Sequence, residues 1–180
     1  MALSNSNTDI SSSIRAFLSV PRSTACVRGT NKEELKETIE RCLQEENEPF
    51  IVCTIPERQP QDDIASQQFY PLLRDCEIHN FTLLQYLFWI SLRAFSSYLT
   101  GPLIEDLVRW GVTVVLLEFH HSSRLVQIDI QACIDSIRHT ESKPDGHVIV
   151  AGSNPSEMLS ITHVYSAPLY MRFGVSLEIV

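Results

Sequence analysis

The stretch from Phe81 to Phe119 constrains the fold of this chain most strongly, since it holds both tryptophans and the densest apolar runs. Its first half repeats apolar residues at helical spacing, because successive side chains advance about 100° around a helix axis. The pattern predicts a helix capped by Asn80 and ended by Gly101-Pro102. The residues on its broad apolar side are Phe81, Leu84, Leu87, Phe88, Leu92, Phe95, Tyr98 and Leu99.

Three side chains on the polar side of this helix form the candidate interface. Tyr86, Trp89 and Arg93 follow one another at i, i+3 and i+7. Tyrosine, tryptophan and arginine are the residue types enriched at binding hot spots. Two interpretations stay open at this point: a second layer of the same domain covers these side chains, or they anchor a protein–protein interface.

Two further elements complete the central stretch. A short helix is predicted from Leu103 to Trp110, and the aliphatic run from Val112 to Phe119 predicts a central strand buried on both faces. The polar tetrapeptide at 120–123 is followed by another strand-like run, Leu125 to Ile130. These two runs predict a hairpin.

The rest of the chain predicts one α+β domain over residues 23–180. A helix is expected at 31–46, where Thr30 and Glu33 have the spacing of a capping box. Further strands are expected at 24–28, 50–55, 147–151, 158–165 and 170–180, and the last alternates strictly between apolar and polar residues. We therefore expect helices packed on one face of a mixed, mainly antiparallel sheet.

Residues 1–22 are predicted to form a flexible, Ser-rich arm. The first 32 residues contain four basic residues and one acidic residue, a net charge of +3, so the other residues carry −11 of the total of −8. Arg15, Arg22 and Arg28 are therefore candidates for an electrostatic contact. Nucleic acid is an unfavourable partner for the acidic body, which leaves the arm as the only candidate for such a contact. Residues 1–28 also have features of an organelle transit peptide.

Cysteine usage and hydropathy predict a cytoplasmic protein, with an organelle as the alternative if residues 1–28 are a transit peptide. Five cysteines without a CxxC pair indicate reduced thiols rather than a disulfide framework. No apolar run reaches the roughly twenty residues that a membrane-spanning helix requires. The composition, 44% hydrophobic and 20% charged, is typical of globular domains.

The sequence motifs of known catalytic sites are missing. Their absence argues against an enzyme without excluding one. Three weaker patterns are candidates for chemistry. Cys53 at a strand end is a candidate nucleophile, against a structural role. Gly152, Ser153 and Asn154 either bind an anion at a helix N-terminus within the 152–157 loop or simply connect two strands.

The third pattern is the pair His120 and His121. Together with Cys133, His139 or His147, the pair offers zinc ligands, but adjacent residues point oppositely on a strand and share an ion only from a turn. We expect an exposed hairpin turn there instead. The sequence therefore assigns no metal and no cofactor.

We expect a non-enzymatic interaction or assembly protein that self-associates. Edge pairing through the strand at 170–180 offers it a second route to oligomers. A small enzyme or ligand-binding domain that uses Cys53 or the 152–157 loop is the competing class. A flexible basic arm on a compact domain is also the profile of small viral assembly proteins, although no residue here is specific to them.

Overall fold

The computed structural model describes residues 5–20, 23–57, 70–139, 146–169 and 172–179, with side chains described from Ile10 onward. It shows a single α+β domain in which helices pack against a six-stranded mixed sheet. The helices are α1 (Asn5–Leu18), α2 (Lys32–Glu45), α3 (Leu83–Phe95), α4 (Gly101–Arg109), α5 (Arg124–His139) and α6 (Pro155–Thr162). The strands are β1 (Thr24–Arg28), β2 (Phe50–Thr54), β3 (Glu77–His79), β4 (Thr113–Leu117), β5 (Val148–Gly152) and β6 (Val175–Glu178).

The sheet has the strand order β3-β2-β4-β5-β1-β6. Only the β2–β3 pair is antiparallel, and the other described pairs are parallel. The expectation of a mainly antiparallel sheet was therefore wrong. The error came from two short apolar runs that are not strands: 125–130 lies in α5, and 158–165 begins in α6 and continues into the turn after it. Periodicity alone does not separate such runs into helix and strand.

Helices cover both faces of the sheet, not one face as expected. On one face α1 and α2 pack on residues that include Val27, Val115 and Ile149. On the other face α3, α4, α5 and α6 pack on residues that include Val114 and Val150. Two-sided burial follows from the parallel connections, because each crossover places a helix against the sheet. The predicted central strand is confirmed, since every residue of β4 is buried.

The segment predicted to be a flexible arm contributes to the core instead. Ile10, Ile14 and Phe17 lie on one side of α1 at i, i+4 and i+7 and are buried. The Ser-rich composition of residues 1–22 concealed this stripe. Residues 1–4, 21 and 22 lie outside the described part of the chain.

The predicted α2 is confirmed with a different cap. The Asn31 side chain accepts hydrogen bonds from the backbone N–H groups of Glu33 and Glu34, at 3.0 and 3.3 Å. The helix predicted after Asn80 is shorter than expected and is capped by Thr82, while the predicted second helix is present as α4. Phe95 ends α3, and Gly101 begins α4. Within the described residues, no helix is both long and apolar enough to cross a bilayer.

Candidate functional site

The orientation of α3 differs from the predicted one. Trp89, proposed as an exposed anchor, is only 2% exposed and lies in the core. Gln85 is the other buried residue of this helix, and its Nε2 donates to the carbonyl oxygen of Trp110 at 3.0 Å. Phe88 stacks on the Trp110 ring, with centroids 4.5 Å apart. Gln85 and Trp89 thus turn toward the core the side that the sequence pattern had assigned to solvent, while Phe88 comes from the side predicted to be apolar.

The opposite side of α3 carries large apolar side chains that point to solvent. Leu83 is 73% exposed and Phe95 is 93% exposed. Arg93 is the only charged residue of the helix, and it is exposed. We call the exposed set the α3 face; its members are Leu83, Leu84, Tyr86, Leu87, Ile90 and Phe95. Of the three predicted anchors, Tyr86 and Arg93 are therefore exposed, while Trp89 is part of the core.

Two of the arginines expected to form an electrostatic contact pair within the chain. Arg15 Nε lies 2.5 Å from a carboxylate oxygen of Glu46. Arg28 is largely buried and lies 3.5 Å from Glu178 on the neighbouring strand. Arg22 lies outside the described residues. The two described arginines thus form ion pairs within the fold. Their geometry does not favour an electrostatic contact with a partner.

Cys53 is not a free nucleophile, because it forms a disulfide with Cys76. The expectation that all five cysteines are reduced was wrong for this pair. The remaining thiols, Cys26, Cys42 and Cys133, are buried. Burial raises the pKa of Cys26 to about 11, and burial together with nearby carboxylates raises the pKa of Cys133 to about 12. Such thiols are protonated at neutral pH and unreactive.

A second candidate site lies where β4 and β5 end. The two strands are parallel neighbours, so their carboxyl ends meet at one edge of the sheet, the edge at which ligands bind in open parallel sheets. Glu118 follows β4 directly, and its backbone takes the left-handed conformation, with φ 55° and ψ 39°. The chain then forms a 3₁₀ turn at Phe119–His121. This turn replaces the predicted hairpin and brings both histidines to the side chain of Glu118.

We call Glu118, His120 and His121 the Glu–His cluster. One ligand-type atom of each lies within 4.8 Å of the others, and His120 Nε2 is 3.6 Å from Glu118 Oε2. The side chains of Glu118 and His120 are each only 6% exposed. Burial, and to a lesser degree His121, lowers the pKa of His120, while Glu118, Glu157 and Glu57 act in the opposite direction. The His120 ring is therefore held mainly neutral.

The loop after β5 supports the cluster. Ser153 donates to Glu118 twice, from Oγ at 2.8 Å and from its backbone N–H at 3.2 Å. Gly152 leaves room for His120, because a Cβ at that position would lie 2.8 Å from His120 Nδ1. Asn154 caps α6, so the expectation that 152–157 merely connects two strands was wrong. A cleft of about 460 Å³ adjoins the cluster; its lining residues are Glu57, His120, His121, Ser122, Asn154 and Glu157.

The sequence missed Glu118 as a partner of the histidines. It proposed Cys133, His139 or His147 instead. His147 precedes β5 and lies at the opposite edge of the sheet, where it contacts Phe17 and Ser23. Cys133 lies on the buried side of α5. The available signal was an acidic residue at the end of a buried strand, separated by one residue from two adjacent histidines.

No protein-family model matches the chain, and no curated protein matches its sequence.

Proposed function

We propose that this protein is an interaction module that self-associates through the α3 face. One observation carries the proposal: six large apolar side chains project from a helix whose other side is anchored in the core. Among the described residues, nothing covers them. Contiguous apolar surface of this kind marks interaction sites, whereas isolated exposed apolar residues are ordinary.

The size of the α3 face fits a dimer contact. From the exposures of its six side chains, the face offers roughly 600 Å² of apolar surface, close to the ~800 Å² that each partner contributes to a standard interface. The helix of 13 residues is about 20 Å long, which matches the length of such a contact. Neighbouring side chains therefore need to add only a modest buried area for two copies to form a standard interface.

Two-fold symmetry matches the distribution of residues along α3. With two copies antiparallel and the axis near Leu87, Leu87 faces its own symmetry mate and Leu84 faces Ile90 of the second copy. The two Arg93 side chains then lie roughly 18 Å apart along the helix axis, beyond the Debye length at physiological salt. Self-pairing therefore covers apolar surface without bringing the like charges together.

The α3 face supports association better than the second route expected from the sequence. Strand β6 does lie at the margin of the sheet, beside β1. It has only four residues, however, and its apolar side chains Val175 and Leu177 are half-buried within the chain. An edge so short offers few backbone hydrogen bonds to a second copy.

Sedimentation equilibrium over a range of concentrations tests the proposal. Wild-type protein is expected to form a dimer, and Ile90→Glu is expected to weaken it roughly 100-fold or more, because each dimer would bury two unpaired carboxylates. Ile128→Glu on α5 is the matched control, since both isoleucines are 46% exposed. High salt should leave the dimer intact, because the contact is apolar.

A wild-type protein that stays monomeric at every concentration would refute the proposal. Equal weakening by Ile90→Glu and Ile128→Glu would refute the assignment of the interface to α3. Loss of the dimer in high salt alone would point to charged side chains instead.

A further inference from the structure

We propose that the Glu–His cluster binds one divalent transition-metal ion of the zinc class, with an open coordination position toward the adjacent cleft. The inference concerns the carboxyl edge of the sheet and is independent of the α3 face. It rests on donor chemistry, unsatisfied ring nitrogens, a rigid support and an access route.

The donor set is the first argument. Two imidazoles and one carboxylate are the protein ligands of one well-known class of zinc site, in which water or substrate takes the fourth position. The three candidate ligand atoms already lie within 4.8 Å of one another. Bonds of 2.0–2.1 Å to a tetrahedral ion place ligand atoms roughly 3.3 Å apart, so small side-chain rotations suffice to close on an ion.

Unsatisfied polar atoms are the second argument. Nδ1 of His120 and Nδ1 of His121 are both buried and have no hydrogen-bond partner. Buried polar groups in folded proteins are nearly always paired, so two orphaned nitrogens in adjacent residues need an explanation. The two rings also lie close together, with centroids 4.2 Å apart. A metal ion removes this cost at any ring that it binds through Nδ1.

Support of the carboxylate is the third argument. Ser153 directs its hydroxyl and its backbone N–H at the two oxygens of Glu118. Outer hydrogen bonds of this kind orient metal ligands. Glu118 also adopts a left-handed backbone conformation, which is unusual for a glutamate. The other non-glycine residues with positive φ in the described part are Asn47 and Asn80, a type that tolerates it.

Access is the fourth argument. The cleft of about 460 Å³ reaches His120 and His121 from solvent, and Glu57 and Glu157 also line it. These carboxylates make the entrance attractive to a cation. A closed structural site would be surrounded by four protein ligands, whereas three ligands beside a cleft leave one position for water or for a small anionic ligand.

The second group with suitable donors serves as an internal control. Glu40, Glu77 and His79 also lie together, but Lys36 Nζ is only 2.6 Å from Glu77 and 3.8 Å from Glu40. An ammonium group therefore already neutralises part of the charge of these carboxylates. We therefore expect no metal at that position.

The experiment uses the tag-free, full-length protein after treatment with a chelator, titrated with Co²⁺ in the spectrophotometer and with Zn²⁺ in the calorimeter. The proposal predicts one ion per chain and the visible absorption of four- or five-coordinate cobalt. His121→Ala should weaken Zn²⁺ binding 100-fold or more, and Glu118→Gln should weaken it less because the shape is retained. His79→Ala and His163→Ala should bind as wild type.

Three results would overturn the proposal, and the first two need no variant. One is wild-type protein that gives no cobalt spectrum and no heat with Zn²⁺. Another is a near-ultraviolet thiolate-to-cobalt band, which would place the ion on a cysteine. The third is a His79→Ala variant that loses the ion while His121→Ala, shown by circular dichroism to be folded, retains it.

Discussion

Helices α3 and α5 lie on the same face of the sheet but use their apolar residues in opposite ways. Helix α5 buries Val126, Ile130, Cys133, Ile134 and Ile137, all on one side, and places most of its polar residues outward. Helix α3 buries only Gln85 and Trp89 and exposes most of its apolar residues. Most large apolar side chains of α5 are thus covered within this chain, with Leu125 and Ile128 exposed. The apolar side of α3 is left uncovered by the described part of the chain.

The difference has a structural cause in a few strong contacts. One buried tryptophan, the stacking of Phe88 on Trp110 and the hydrogen bond from Gln85 to the Trp110 carbonyl hold α3 by its narrow side. Burial of a large aromatic side chain stabilises the fold more than burial of a single leucine does. The side of α3 that carries Trp89 therefore packs on the core, although it is less apolar overall. Leucines at 83, 84 and 87 are then left for another surface.

The largest effect on this comparison is expected from Trp89→Ala. Truncation should lower the free energy of unfolding by about 4 kcal/mol, because it empties a well-packed core position. Ile134→Ala on α5 should cost a similar amount, about 3 kcal/mol. Chemical denaturation at a concentration where the protein is monomeric measures both.

A different result for Trp89→Ala would reverse the roles of the two sides of α3. Loss of association with unchanged unfolding free energy would make Trp89 an interface residue and would break the comparison. The original interpretation of Tyr86, Trp89 and Arg93 as one anchor would then be restored.

A smaller effect is expected from the helix caps, which are alike in the two helices. Thr82 Oγ1 accepts from the backbone N–H of Gln85 at 3.2 Å, and Ser123 Oγ accepts from that of Val126 at 3.2 Å. Each substitution to alanine should cost about 1 kcal/mol of stability. Thermal unfolding of the two variants checks this. If Thr82→Ala left the stability unchanged while Ser123→Ala lowered it, the N-terminus of α3 would contribute less to the fold than its inner contacts indicate.

The sequence was sufficient for elements whose pattern and burial agree. The α+β class, α2 and the buried central strand β4 follow from periodicity and β-branched content. Strand direction did not follow, because the short apolar runs 125–130 and 158–165 fit a strand as well as a helix. The stripe Ile10, Ile14 and Phe17 was visible in principle, but the serines around it favoured a flexible segment.

The candidate sites were predicted only in part. The sequence indicated α3 as the candidate interface helix and included two of its exposed residues, yet it could not say which side of the helix the core would take. It identified His120 and His121, and the loop with Ser153, as separate patterns. Their proximity depends on β4 and β5 being parallel neighbours and on the left-handed turn at Glu118, neither of which a local pattern encodes.

Cross-linking through Leu87→Cys tests the central claim most directly. The proposed two-fold arrangement places residue 87 of one copy against residue 87 of the other, while the free native thiols are buried. Under mild oxidation at a concentration that supports the dimer, Leu87→Cys should form a covalent dimer rapidly, and Leu125→Cys on α5, similarly exposed, should not. Equal cross-linking rates for the two variants, or none for either, would contradict self-association through α3.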